Sequence, residues 1–228
     1  MPRKLTSARS AFEETACRMS SSRETYYDAL EATTNIEDMT GDEGNQDILR
    51  SLRDDRLSSL IICQGEYLYG LEGEYILSQS KDLGWLGHFA KKSSRLEEFC
   101  IRGSDAFGNC SEQSVNKFLE DIGRCGHIKR LDFSHRNDLN GIMHKLEPAI
   151  KNNNITHWST DGCYMGESEA NRIFNAFHGE MKGMEELSIA FKYEDERDLN
   201  DGVMADCIPS LAACISFVGW PSASIFVN

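Results

Sequence analysis

What the chain lacks narrows the field first. No apolar run approaches the roughly 20 residues that a membrane helix needs, and the basic start Met-Pro-Arg-Lys has no apolar stretch behind it of the kind a secretory signal carries. Glu13 and Glu14 argue against an organelle transit peptide, which is poor in acids. The expected setting is therefore cytoplasmic, with no membrane partner. A clustered Lys/Arg face is also missing: 24 basic residues stand against 37 acidic ones, and a net charge of −13 repels phosphate backbones, so nucleic acid is excluded as a partner. Neither G-x-G-x-x-G nor G-x-x-x-x-G-K-[ST] occurs, and "GLEGEY" offers two glycines only, so no nucleotide cofactor is expected.

The eight cysteines, at 17, 63, 100, 110, 125, 163, 207 and 214, form no C-x-x-C pair and read as reduced, mostly buried small hydrophobes. Cys125 and His127 in "RCGHI" are two potential metal ligands without a second pair, short of a four-ligand zinc site, so no metal is expected and the segment reads as a helix-end turn.

What is present is the composition of a globular protein, 40% hydrophobic and 27% charged. Residues 1–44 are poor in large apolar side chains, and Asp28 to Asp47 contains seven acids without a Lys or Arg, which predicts an acidic, disordered N-terminal tail. From residue 45 the pattern changes. Ile48, Leu49 and Leu52 have helical spacing, followed by Leu57, Leu60 and Ile62 in a strand-like frame.

That frame, apolar-x-x-apolar-x-apolar, occurs five times: Leu57/Leu60/Ile62, Leu96/Phe99/Ile101, Ile128/Leu131/Phe133, Ile155/Trp158/Thr160 and Met184/Leu187/Ile189. The starts are 39, 32, 27 and 29 residues apart, and Thr160 alone breaks the apolar rule. Between frames run amphipathic helical stretches: Val115, Phe118, Leu119 and Ile122, then Leu139, Ile142, Met143, Leu146 and Ile150, then Ile173, Phe174, Phe177 and Met181. Pro148 and Pro209 fall at matched places after "DLNGIMHKLEP" and "DLNDGVMADCIP", a second sign of repetition and of a shared kink or helix restart. "HKLEPAIKNNNITHW" is then a helix-to-strand junction, where asparagines tolerate the turn.

These frames resemble leucine-rich repeats of the ribonuclease-inhibitor-like kind, matching the first three apolar positions of L-x-x-L-x-L-x-x-N/C-x-L. "DLGWLGHFAKKSSRLEEF" is similar to a stretch found in expanded leucine-rich-repeat families of unicellular algae. The resemblance implies an α/β, right-handed solenoid over residues 45–228, of five to six irregular repeats, with parallel strands on a concave face and helices on a convex one. The family's asparagine-ladder position reads Gly65, Ser104, Arg136, Cys163 and Lys192, so only Cys163 fits, as a structural thiol rather than a nucleophile assisted by His157 or His178. Turn groups elsewhere must find other partners. The long first spacing implies an insertion between Gly65 and Lys81. Cys63 and Cys100 come out of step by two residues on neighbouring strands, roughly 8 Å apart at Cα and beyond disulfide reach.

Strand alternation sends the third, fifth and seventh frame positions to the concave side. One column is Ser59, Glu98, Arg130, His157 and Glu186; the next is Ile61, Cys100, Asp132, Ser159 and Ser188; the third is Cys63, Arg102, Ser134, Asp161 and Ala190. The partner-binding residues expected on this basis are Glu98, Arg102, Arg130, Asp132, His135, His157, Asp161, Glu186 and Phe191. No catalytic group is assigned and the chain reads as a non-enzymatic module for an unidentified protein partner. The resemblance also leaves open a regulator of a small GTPase or a non-functional family fragment. An adaptor of a ubiquitin ligase is disfavoured, because the first 50 residues hold no three-helix docking module. The C-terminal end, with its next strand starting between Ile215 and Phe217, is expected to be uncapped, exposing Phe217, Val218, Trp220, Ile225 and Phe226 and giving a route to self-association.

Overall fold

A computed structural model describes residues 26–63, 72–103, 106–134, 142–163, 183–191 and 223–227. Each frame becomes a strand that begins at its third position: β1 (Ser59–Cys63), β3 (Glu98–Arg102), β4 (Arg130–Ser134), β5 (His157–Cys163) and β6 (Glu186–Phe191). With β2 (Glu74–Ile76) and β7 (Ala223–Val227) they make one seven-stranded sheet in the order β2-β1-β3-β4-β5-β6-β7. Every neighbouring pair is parallel. Sequential parallel strands require crossovers. Among the described residues three of these carry helices: α3 (Ser80–Ala90) before β3, α4 (Glu112–Gly123) before β4 and α5 (Ile142–Asn152) before β5. Two further helices, α1 (Ile36–Met39) and α2 (Glu43–Arg53), precede β1, and α2, α3, α4 and α5 pack side by side in chain order. One sheet layer with one helix layer, repeated along the chain, is the architecture of a leucine-rich-repeat-like α/β solenoid.

The helices start where capping chemistry allows. Asp42 accepts from the Asn45 amide at 2.8 Å to cap α2, and Ser111 accepts from the Ser114 amide at 3.3 Å to cap α4. Asp82 reaches back to the Gln79 amide at 3.3 Å and to the Ser78 hydroxyl at 2.9 Å at the start of α3. In α4 the spacing read from sequence holds, with Phe118, Leu119 and Ile122 buried against the sheet. Pro148 lies inside α5 rather than at a helix break.

The sheet presents two inward rows to those helices: Leu60, Phe99, Leu131, Trp158 and Leu187, and beside it Ile62, Ile101, Phe133 and Thr160, with Ile189 next in backbone register. Leu60, Phe99, Ile101, Phe133 and Leu187 are fully closed to solvent, each such side chain contributing about 1.5 to 3 kcal/mol of burial. Thr160 is equally buried, and among the described residues its hydroxyl has no hydrogen-bond partner.

The insertion before α3 returns as β2 and adds a strand to the outer edge of β1, pairing Ile61 with Glu74 and Cys63 with Ile76. Gly73 makes the approach possible: at φ +91°, a Cβ there would lie 2.1 Å from the Ser59 carbonyl oxygen.

Turn groups find partners through a polar ladder that changes residue at each step. Asp55, in the left-handed region at φ 53°, accepts from the Ser93 hydroxyl at 2.8 Å and the Ser94 amide at 2.9 Å in the next turn. The Cys125 thiol points at the Leu96 carbonyl at 3.9 Å, and Asn153 donates to the Cys125 carbonyl at 2.8 Å. On the far side of β5, Cys163 is buried and its thiol donates to the Phe133 carbonyl of the preceding strand at 3.2 Å. The other family-ladder positions, Gly65, Ser104, Arg136 and Lys192, lie outside the described residues.

The expectation of a solvated tail through residue 44 is corrected for its second half. Residues 26–31 are helical, α1 puts Ile36 and Met39 into the core at 3% and 1% exposure, and Tyr27 meets the Trp85 ring at a 4.9 Å centroid distance. Composition misled because Asp28 and Glu31 are held by partners distant in sequence, as described below. Residues 1–25 lie outside the described residues. So do Ile215, Phe217, Val218 and Trp220, whereas Ile225 and Phe226 belong to β7, opposite Ile189 and Ala190 of β6. No helix among the described residues is long and apolar enough to cross a membrane.

Candidate functional site

The strand register lays out the outward rows as the frame spacing predicts. Ser59, Glu98, Arg130, His157 and Glu186 pair in one row; Ile61, Cys100, Asp132, Ser159 and Ser188 in the next; Cys63, Arg102, Ser134, Asp161 and Ala190 in the third. Neighbouring members stand about 4.8 Å apart, the strand separation.

These rows are not uniformly open. Ile61, Cys63, Cys100 and Ser134 are buried, so the start of the sheet offers little on this face. Arg130, Asp161 and Glu186 are exposed, and Glu98, Arg102, Asp132 and His157 are half-buried. Arg102 is occupied rather than available as an anchor: its Nη2 lies 3.4 Å from Asp132 Oδ2. Burial pushes the Asp132 carboxyl above its ordinary value, with Arg102 opposing that and Glu98 and Asp161 adding to it. His157 takes its orientation from Thr156, whose hydroxyl is 2.8 Å from Nδ1, and its Nε2 lies 3.8 Å from Glu186 and 4.0 Å from Glu185. His135 lies outside the described residues, and of Phe191 only the backbone is described, pairing with Cys163 and Val227.

The thiols on this face are held in the protonated form. Burial pushes Cys63 up to about 11, with Glu74 adding to it, and pushes Cys100 up further, with Asp132 and Glu98 beside it. The register sets Cys63 opposite Arg102 and Cys100 opposite Ile61, and both cysteines are free thiols.

Sequence reading missed a cluster on the helix side. Asp28, Glu31 and His88 bring three possible metal ligands together. His88 is buried, with Nε2 2.9 Å from Glu31 Oε2. The Lys92 ammonium sits 2.7 Å from Asp28, 2.8 Å from Glu31 and 3.2 Å from His88, in the place a cation would take. Burial works against ionisation of Glu31, but the bonds from Lys92 and His88 outweigh it and hold its carboxyl below the ordinary value. Burial likewise lowers the His88 imidazole, only partly offset by Glu31. The cluster is a clamp that fastens residues 26–31 to α3. Its only sequence signal was the unusual "GWLGHFAKK", glycine-rich for a helix and ending in lysines.

No family model matches the chain, and no curated protein matches it. Among solved structures it is similar to the tropomodulin C-terminal domain of Caenorhabditis elegans, at 12% identity over 77% of this chain and 95% of that one, with a TM-score of 0.43. The fold assignment rests on strand order and register, not on that likeness.

Proposed function

We propose that this chain is a binding module rather than an enzyme, and that it receives a partner protein on the open part of its strand face. The observation that carries the reading is the registered row Glu98, Arg130, His157, Glu186, one polar side chain per strand on a fixed lattice. It mixes acidic and basic groups, which suits the mixed surface of a protein better than a polyanion. The row is held by a sheet whose other side is core, so it is pre-organised and a partner loses little entropy in ordering it. Glu98, Arg130, His157, Asp161 and Glu186 form the contact surface; Arg102 and Asp132 shape it through their own ion pair. The buried thiols Cys63 and Cys100, being protonated at neutral pH, support a recognition role over a nucleophilic one. Four strands span only about 15 to 20 Å, so the contact is small and its affinity modest.

The test is quantitative affinity purification from native cells with the wild type, an Arg130→Ala/Glu186→Ala double variant and a Lys145→Glu variant on α5. Proteins retained by the wild type and by Lys145→Glu but lost with the double variant are the expected result. Retention by the double variant together with loss in Lys145→Glu overturns the assignment of the face.

A further inference from the structure

The cluster that fastens residues 26–31 to α3 holds a set of donor atoms that an ammonium uses poorly. Asp28 and Glu31 are three apart on one face of a helical segment; His88 and Lys92 are four apart, the first in α3 and the second just past its end. His88 is 1% exposed, and its Nδ1 has no hydrogen-bond partner among the described residues, so the ring's hydrogen bonds all fall on Nε2. That nitrogen is oversubscribed. The Glu31 carboxylate at 2.9 Å needs a proton on it, whereas the Lys92 ammonium at 3.2 Å needs its lone pair. A neutral imidazole nitrogen offers one or the other, and a charged ring would repel the ammonium.

A metal ion removes the conflict, because it accepts a lone pair from the imidazole and from both carboxylates at once. One donor atom from each of Asp28, Glu31 and His88 lies within 4.8 Å of the others. The His88 Nε2 stands 2.9 Å from Glu31 Oε2 and 3.9 Å from Asp28 Oδ1. Those two separations bracket the distance of about 3.3 Å between ligand atoms around a tetrahedral ion with bonds of about 2.0 to 2.1 Å. Two carboxylates match the charge of a dication. An imidazole beside them selects a zinc-class ion over calcium or magnesium, which favour oxygen ligands. The Asp28 side chain is 52% exposed and opens the cluster to solvent, and that of Lys92 is 43% exposed, so its ammonium can swing out into water.

We propose that Asp28, Glu31 and His88 bind one divalent zinc-class ion, which displaces the Lys92 ammonium and takes over the task of tying residues 26–31 to α3, with water completing the coordination. The expectation of no metal rested on cysteine and histidine spacing, and this donor set uses no cysteine. The site lies in the helix layer and does not depend on the reading given for the strand face.

The probe is Zn²⁺ alone, titrated calorimetrically into the whole chain under reducing conditions. The expected result is one saturable equivalent that equal concentrations of Mg²⁺ or Ca²⁺ do not displace, with a rise in melting temperature. Asp28→Asn/Glu31→Gln keeps both side-chain shapes and should abolish that equivalent, whereas zinc held by cysteines or by other histidines would survive it. Lys92→Met separates a metal site from a plain ion-pair clamp. Without zinc this variant should melt lower than the wild type. It should bind Zn²⁺ roughly three- to tenfold more tightly, the value of the exposed ion pairs that no longer compete, and Zn²⁺ should restore its melting temperature. Absence of a saturable equivalent, an equivalent that persists in the double carboxylate variant, or unchanged or weaker zinc binding by Lys92→Met overturns the proposal.

Discussion

Asn45 of α2 pairs with Ile76 of β2 as a neighbouring strand would. Its Nδ2 donates to the Ile76 carbonyl at 2.8 Å and its Oδ1 accepts from the Ile76 amide at 3.0 Å, with the side chain buried at 2% exposure. Among the described residues β2 is the outer strand on that side of the sheet, and an open parallel edge templates further pairing. Asn45→Leu keeps the branched shape but leaves the amide and carbonyl of Ile76 without these partners, which should cost about 1 to 3 kcal/mol. Urea denaturation measures the loss, and light scattering should show more association than in the wild type. Unchanged stability would mean the pairing contributes nothing beyond shape.

Asp55 gives a pH signature. Its bonds from the Ser94 and Ser93 side chains, with burial opposing, hold its carboxyl near about 2, below the ordinary 3.8. A depressed acid contributes stability that is complete above its unfolded pKa and disappears as pH falls through its folded one. The stability difference between wild type and Asp55→Asn should therefore be constant above pH 3.8 and shrink between there and about 2. Denaturation series at stepped pH check this. A difference that stays flat through that window would show that the carboxylate's charge plays no part in joining the two turns.

Thr160 is the one polar residue in the inward rows, and its buried hydroxyl has no partner among the described residues. Thr160→Val keeps the β-branched shape and removes the unsatisfied group, so it should stabilise the fold by about 1 kcal/mol or slightly more. A lowered melting temperature would mean that the hydroxyl is bonded.

The apolar frames carried the strands because a strand buried on one face must alternate, and a frame fixes both register and side at once. Phe118, Leu119 and Ile122 carried α4 for the same reason at helical spacing. The junction ladder was illegible because Asp55, Ser93, Cys125 and Asn153 share a place but no chemistry: a carboxylate, a hydroxyl, a thiol and an amide each close the turn differently. Residues 26–44 were misread because composition cannot see partners distant in sequence. Asp28 and Glu31 look like solvated acids until Lys92 and His88 are brought to them. The outward rows were legible as positions, but their openness was not, since Cys63 and Cys100 are buried on the side that alternation assigns to solvent.

Arg102 and Arg130 looked equivalent in sequence, and the structure separates them. Arg130 is exposed, so Arg130→Ala should change stability by no more than about 0.5 kcal/mol. Arg102 is 23% exposed and pairs with Asp132 at 26%, so Arg102→Ala strands a half-buried carboxylate and should cost roughly 1 to 3 kcal/mol at neutral pH, between the exposed and buried cases. The sign of its pH dependence follows from Asp132, whose carboxyl is already raised by burial and rises further without the guanidinium. An acid with a raised folded pKa has its full stability below its unfolded pKa and loses it as pH climbs through the folded one. The deficit of Arg102→Ala should therefore shrink as pH falls toward 3.8, and Asp132→Asn in the same background should recover most of it at neutral pH. Equal melting temperatures for the two arginine variants, or a deficit that grows on acidification, would show that Arg102 acts as free surface charge and belongs among the contact residues.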